Sequence, residues 1–171
     1  MQNLSTRQHA VNRRVAPVRT PAGDAFSALV VQVLQLDGLL TAAGDALARP
    51  AGQTSARWWV LASVERAPAT VAQVARALSL ARQSVQRVAD LLKQDGLLAY
   101  EDNPRHRRAK LLRLTERGQS ALLKIQTAQA GWADSIGEAI GEQELHRAGD
   151  VLGRIAAAVM RPQSAAGKGT M

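Results

Sequence analysis

The sequence predicts a mainly α-helical chain with one small β-hairpin, and three observations predict it. Apolar residues recur at the i, i+3, i+4, i+7 spacing of helices in segment after segment. Hydrophobic residues make up 46% of the chain but aromatics only 3%, so the core must be aliphatic and alanine-rich, which suits helices better than sheets. Leu97–Glu101 and Lys110–Leu114 read as short segments able to pair as strands across an Asn-Pro turn. With 171 residues the chain is long enough for one domain with a sizeable core, and two domains would be crowded.

Residues 1–20 are polar, basic and aperiodic, and read as a flexible N-terminal arm. Such an arm is either a disordered leader or a segment that touches DNA, as basic arms do. A single domain is expected over 21–160. Its first element is a long helix from Asp24 to Arg49, with a broad apolar face of Phe26, Leu29, Val30, Val33, Leu34, Leu36, Leu39 and Leu40. That face is too wide to bury against a small domain alone and calls for a helix from another chain. Pro50-Ala51-Gly52-Gln53 breaks the helix. Ser55–Arg66 is a shorter helix whose Trp58, Val60, Leu61 and Val64 point to different sides, as in a sandwiched element.

Thr70–Leu78 follows as a third helix, with Val71, Val74, Ala75 and Leu78 on one face. Thr70 with Gln73 three residues on is a capping-box pattern. Ser79 and Leu80 form a turn. Ala81–Asp95 is a fourth helix, closed by Gly96 where a left-handed cap is wanted. Its buried stripe is expected to be Ala81, Val85, Val88, Leu91 and Leu92. Arg82, Gln83, Ser84, Gln86 and Arg87 crowd the other side of its first half. These side chains suit base edges: Arg to guanine, Gln to adenine, Ser to either. Two helices joined by a short turn, the second polar at its N-terminal half, match a helix-turn-helix and match equally an ordinary helical pair with a solvated face.

The next segment decides between them. Between the two strand candidates lies Asp102-Asn103-Pro104-Arg105-His106-Arg107-Arg108-Ala109, and from Arg105 to Arg113 there are five cations (Arg105, Arg107, Arg108, Lys110, Arg113) and no acid. A hairpin with a cationic tip beside a recognition helix is a wing, whose arginines suit phosphates or a narrow minor groove. The fold class is therefore a winged helix-turn-helix over 55–114, joined to long dimerisation helices.

These residues resemble the winged helix-turn-helix core of the MarR family of bacterial transcription regulators. Three pieces carry the resemblance: Arg82-Gln83-Ser84-Val85-Gln86-Arg87, Asp95-Gly96-Leu97, and Asn103-Pro104-x-x-Arg107-Arg108-Ala109-Lys110 with Leu114-Thr115-x-x-Gly118. The match covers the middle third of the chain, and the flanking helices agree in length and order. Two departures stand out. Family members often carry Asp where this chain has His106, and that Asp helps orient the wing arginine. They often have Gly in the turn and Ser or Thr opening the recognition helix, where this chain has Ser79 and Ala81. Ala81 has no side-chain acceptor, so either Ser79 caps or the first turn frays until DNA orders it.

The resemblance implies a homodimeric repressor with Arg82, Gln83, Ser84, Gln86 and Arg87 in a major groove. It places Arg105, Arg107, Arg108 and Lys110 on the wing contact, with Arg107 in the minor groove. Thr70 and Gln73 are candidate donors to phosphate. It also implies a small organic effector between the dimer helices and the DNA unit, where Trp58 and Trp59 either line a pocket or serve as core packing.

Thr115 opens a long helix to about Ile140, and Gly141 separates it from a last helix, Glu142–Met160. Residues 21–50 and 115–160 together read as a dimerisation bundle. Residues 161–171 read as a flexible tail. Glu142, His146 and Asp150 fall at i, i+4, i+8, a possible set of metal ligands, but charged helix faces are common and no metal or cofactor is assigned.

The charge needs dissecting. The net charge is +8, from 22 Lys and Arg against 14 Asp and Glu. Arg7, Arg13, Arg14, Arg19, Arg161 and Lys168 lie in the terminal segments; without those six the body holds 16 basic against 14 acidic residues. Clustering in the wing, rather than pI, points to nucleic acid. There is no cysteine, which excludes disulfides and thiolate catalysis by this chain. No apolar run is expected to span a bilayer and no signal region opens the chain, so a cytoplasmic protein without membrane contact is expected. No phosphate loop or hydrolytic triad is visible, and an enzyme is not expected. The sequence therefore predicts a sequence-specific DNA-binding regulator. The alternatives are a non-specific architectural DNA binder, or a protein-interaction or enzyme role on a winged-helix scaffold.

Overall fold

In the computed structural model of the chain, residues 18–106 and 108–161 are described. The elements run α1 (Pro21–Ala48), a 3-10 turn (Arg49–Ala51), α2 (Ser55–Ser63), β1 (Ala69–Thr70), α3 (Val71–Ala77), α4 (Arg82–Gln94), β2 (Leu98–Glu101), β3 (Leu111–Leu114), α5 (Glu116–Ile140) and α6 (Glu142–Val159). Backbone contacts divide the chain into two units between Thr41 and Ala42, inside α1.

The second unit is built around the winged helix-turn-helix. Its core joins Val60 and Leu61 of α2, Val74 of α3, Val85, Ala89 and Leu92 of α4, Leu112 of β3 and Leu122 and Ile125 of α5, all essentially inaccessible. Each such Leu or Ile side chain contributes about 1.5–3 kcal/mol by leaving water. α2 touches α3, α4 and α5, which is the sandwiched placement its scattered apolar residues implied.

Local rules explain where the helices stop. Thr70 caps α3 in a full capping box: its hydroxyl oxygen accepts from the Gln73 N–H at 3.3 Å, and its own N–H donates to Gln73 Oε1 at 2.8 Å. α4 ends in a Schellman motif. Gly96 sits at φ +71°, its N–H bonds Lys93 O at 3.0 Å, and the Leu97 N–H bonds Leu92 O at 2.8 Å. Thr115 caps α5 by accepting from the Gly118 N–H at 3.0 Å, and its hydroxyl donates to Gly96 O at 2.7 Å. Gly118 is buried, and a Cβ there would stand 2.1 Å from Leu97 O, so only glycine lets α5 pass this close to the end of α4. At the head of α2, Asp45 accepts from the Ser55 N–H at 2.7 Å, and the Ser55 bonds hold its carboxyl below the usual carboxylate range.

Several expectations are corrected here. The buried stripe of α4 runs through Val85, Ala89 and Leu92, while Ala81 and Leu91 are exposed and Val88 is half-buried. One residue is 100° of helix turn, so Leu91 lies off the stripe that Leu92 belongs to. The hairpin is part of a three-stranded antiparallel sheet, ordered β1-β3-β2, because Ala69 and Thr70 pair with Leu112 and Leu111. α1 begins at Pro21 rather than Asp24, and α2 ends at Ser63 rather than Arg66. The expected absence of a membrane-length apolar run is also corrected. Within Pro21–Ala51 a window reaches mean hydropathy 1.5 with at most two charged residues, because Asp24, Asp37 and Asp45 are widely spaced among Leu, Val and Ala. By length and composition alone that helix is apolar enough to cross a bilayer.

Candidate nucleic-acid interface

α4 and the β2–β3 wing, with the start of α3, frame one open cleft, lined by Thr70, Arg82, Gln86, Asp90, Tyr100, Arg108 and Lys110 among others. A second groove follows the outer face of α4 past Arg82, Gln83, Arg87, Leu91 and Gln94. Arg82, Gln83 and Arg87 are exposed there, Ser84 is exposed beside it, and among the described residues neither arginine has an acidic partner within salt-bridge distance. This is the side of α4 opposite its Val85–Leu92 stripe.

The turn before α4 settles how the helix opens. Ser79 stands at φ +54°, a left-handed conformation for a residue with a side chain. It occupies the glycine position of a second Schellman motif, with Ser79 N–H on Arg76 O at 3.2 Å and Leu80 N–H on Ala75 O at 2.9 Å. Ser79 therefore closes α3 and does not cap α4. Ala81 is the N-cap, with no side-chain hydrogen bond, and leaves the first amides of α4 without a side-chain acceptor.

The wing is less uniformly cationic than its sequence. Arg113 is paired to Glu101 at 2.5 Å across β2 and β3, which raises its pKa further, and Lys110 lies 3.9 Å from Asp102. Arg105 and Arg108 are exposed and, among the described residues, have no acidic partner. Arg107 lies outside the described residues. Asn103 Oδ1 accepts from the Arg105 N–H at 3.0 Å, which shapes the turn. In the capping box the Thr70 hydroxyl lies 2.9 Å from Gln73 Oε1, so its proton is taken and the Gln73 amide nitrogen is the remaining donor on that edge.

Sequence reasoning missed one group here. Gln86, Asp90 and the sole tyrosine, Tyr100, form a triangle of hydrogen bonds between α4 and β2. Burial and the Asp90 carboxylate push the Tyr100 hydroxyl up to about 12. Lys93 sits 5.6 Å over its ring. Gln86 and Asp90 are one helical turn apart, a visible signal, but Tyr100 joins them only through the strand pairing. Away from this surface, Trp58 is buried and Trp59 half-exposed, with ring centroids 5.1 Å apart and nearly parallel. Arg57 at the start of α2 is ion-paired with Asp95, the C-cap of α4. Among the described residues no three His, Asp or Glu side chains are grouped to hold a metal, Glu142, His146 and Asp150 included.

Known proteins agree with this architecture. A model of the MarR family matches residues 51–109, from the break after α1 to the tip of the wing. The crystal structure of a MarR family transcription regulator matches with a TM-score of 0.71 at 25% identity, over 81% of this chain and 94% of that one. The chain belongs to the MarR family. It is by that membership a DNA-binding transcription regulator with a winged helix. An uncharacterised protein of Mycobacterium tuberculosis is 38% identical over 136 residues, 80% of this chain and 95% of the relative. The M. tuberculosis transcriptional regulator MosR, solved in complex with DNA, shares the fold with a TM-score of 0.64 at 22% identity, over 77% of this chain and 98% of that one. The MarR-family match ends at Ala109, so it contains α4 and the wing tip but stops before β3, α5 and α6.

Proposed function

We propose that this MarR-family protein is a cytoplasmic homodimeric repressor that binds a pseudo-palindromic operator and releases it on binding a small organic effector. Its single domain spans 21–160. α4 enters the major groove with Arg82, Gln83, Ser84, Gln86 and Arg87 at the bases and nearest phosphates. The wing carries Arg105, Arg107, Arg108 and Lys110 to the flanking backbone and minor groove, with Arg107 the minor-groove residue. Gln73, held by Thr70, donates to a phosphate. The observation that carries this reading is the outer face of α4, where Arg82, Gln83, Ser84 and Arg87 stand exposed and, among the described residues, neither arginine has an acidic partner.

Dimerisation is supported by the apolar side chains left in water. On α1, Leu34 and Leu39 are more than 60% exposed, and on α6 Val151, Leu152 and Val159 are also exposed. A second copy covering them would give the two-fold axis that a palindromic operator mirrors. The half-exposed Trp59, stacked on the buried Trp58, offers one apolar wall for an aromatic effector. An effector acts by binding one spacing of the two α4 helices better than the other, and each 1.4 kcal/mol of that preference changes operator affinity about tenfold.

The test is competition with duplexes of defined sequence. Arg82→Ala is expected to relax discrimination at one base position by about 1–3 kcal/mol, while Arg107→Ala weakens binding to all duplexes and lowers the salt dependence. A folded Arg107→Ala dimer that binds as well as the parent would remove the wing from the reading.

A further inference from the structure

What a groove-facing glutamine reads depends on which of its amide atoms are free. A glutamine amide has two N–H donors and one carbonyl acceptor. Gln86 Nε2 lies 2.7 Å from Tyr100 Oη and 3.0 Å from Asp90 Oδ1, and Tyr100 Oη lies 2.7 Å from the same Asp90 oxygen. The protons can be assigned from chemistry alone. A carboxylate only accepts, so the amide atom facing Asp90 is the nitrogen, and the Tyr100 hydroxyl gives Asp90 its one proton. The Tyr100 oxygen is then left to accept, and it takes the second Nε2 proton. The triangle closes with no donor over, and among the described residues nothing donates to Gln86 Oε1.

The triangle is also held from both sides. Asp90 is one helical turn from Gln86 on α4, and Tyr100 is fixed in β2 opposite Leu112 of β3. Gln86 lines both the cleft beside the wing and the outer groove of α4.

We propose that Asp90 and Tyr100 are specificity-determining residues: by holding both amide protons of Gln86 they make it an acceptor only, so each half-site has one position that takes cytosine or adenine alike. This rests on the major-groove placement of α4 proposed above. An unrestrained glutamine favours adenine, donating to N7 while accepting from the N6 amine. Without its protons it can only accept an exocyclic amine, which cytosine offers at N4 and adenine at N6. Guanine shows two acceptors on that edge and thymine an acceptor and a methyl group, so both are refused. Asp90 is an acid on a surface that meets phosphates, so its removal raises affinity for any DNA, and only base ratios test the proposal.

The experiment is selection from random duplexes with the full-length protein and its Tyr100→Phe, Asp90→Ala and Gln86→Ala variants. Tyr100→Phe keeps the ring and deletes only the hydroxyl. The parent is expected to show one position per half-site where cytosine and adenine are bound within about threefold, with guanine and thymine at least about tenfold weaker. Tyr100→Phe and Asp90→Ala should both move that position toward adenine over cytosine by about tenfold and leave the others alone. Gln86→Ala should flatten it. Adenine preferred to cytosine equally in the parent and in both variants overturns the proposal. So does a Gln86→Ala protein that still selects the inverted repeat with no position flattened, and that result leaves the regulator reading intact. A parent that selects no sequence overturns both.

Discussion

At the scale of single residues, four positions make measurable claims. Gly118→Ala places a methyl group against the Leu97 carbonyl, a backbone atom with little freedom to retreat. It is expected to cost about 3 kcal/mol or more, the upper range of overpacking, read as a loss in urea midpoint. Ser79→Gly removes the strain of a left-handed serine at φ +54° and is expected to stabilise by about 0.5–1 kcal/mol, since relief of the side-chain clash exceeds the added entropy of the unfolded chain. Tyr100 is the sole tyrosine, so tyrosinate absorbance near 295 nm reports it alone. Its midpoint should fall near 12, and Asp90→Ala should bring it down toward the ordinary value of about 10. Because its folded pKa is raised, its contribution to stability is complete below about pH 10 and is lost as pH climbs toward 12. Gly118 was legible as a residue of the family pattern but not as a contact, because the atom it avoids belongs to a residue 21 positions earlier. The sequence leaves two openings for α4, a Ser79 cap or an uncapped first turn, and the left-handed backbone of Ser79 decides for the uncapped one.

At the scale of elements, what the sequence revealed follows from the range of the interactions. α3, α4 and α5 were legible because their apolar spacing, capping box and closing glycine are all local signals, and Thr70, Gly96 and Thr115 act as those signals imply. Thr70→Ala should therefore cost about 1 kcal/mol, and Gln73→Ala less, measured by chemical denaturation. β1 was not legible. Two residues carry no alternation to read, and they become a strand only because β3 passes beside them. The wing was legible as a hairpin, but its charge was overcounted. Arg113 and Lys110 face Glu101 and Asp102, acids that lie just before the run of cations and come alongside only when the strands pair. Arg113→Ala is accordingly expected to weaken DNA binding less than Arg105→Ala or Arg108→Ala, in titrations at a fixed salt concentration.

At the scale of the whole molecule, the proposed function depends on association. α6 has no fully buried residue, and α1 carries a row of exposed Val and Leu side chains. Faces of this extent on a monomer mark a partner surface. Substituting Leu152→Glu should shift the protein from dimer to monomer in sedimentation, and operator affinity should fall with it, because two half-sites are then no longer read as a unit. If α1 instead met a bilayer, the protein would sediment as a monomer in detergent and associate with lipid vesicles without DNA-dependent stoichiometry. Specific, dimeric DNA recognition is measured by selecting duplexes from a random pool and titrating the winner against its scrambled sequence at physiological salt. An inverted repeat is expected, bound by two chains per duplex and preferred over scrambled DNA by about a thousandfold or more. Equal affinity for both duplexes would contradict it and leave a basic winged helix that coats DNA without reading it.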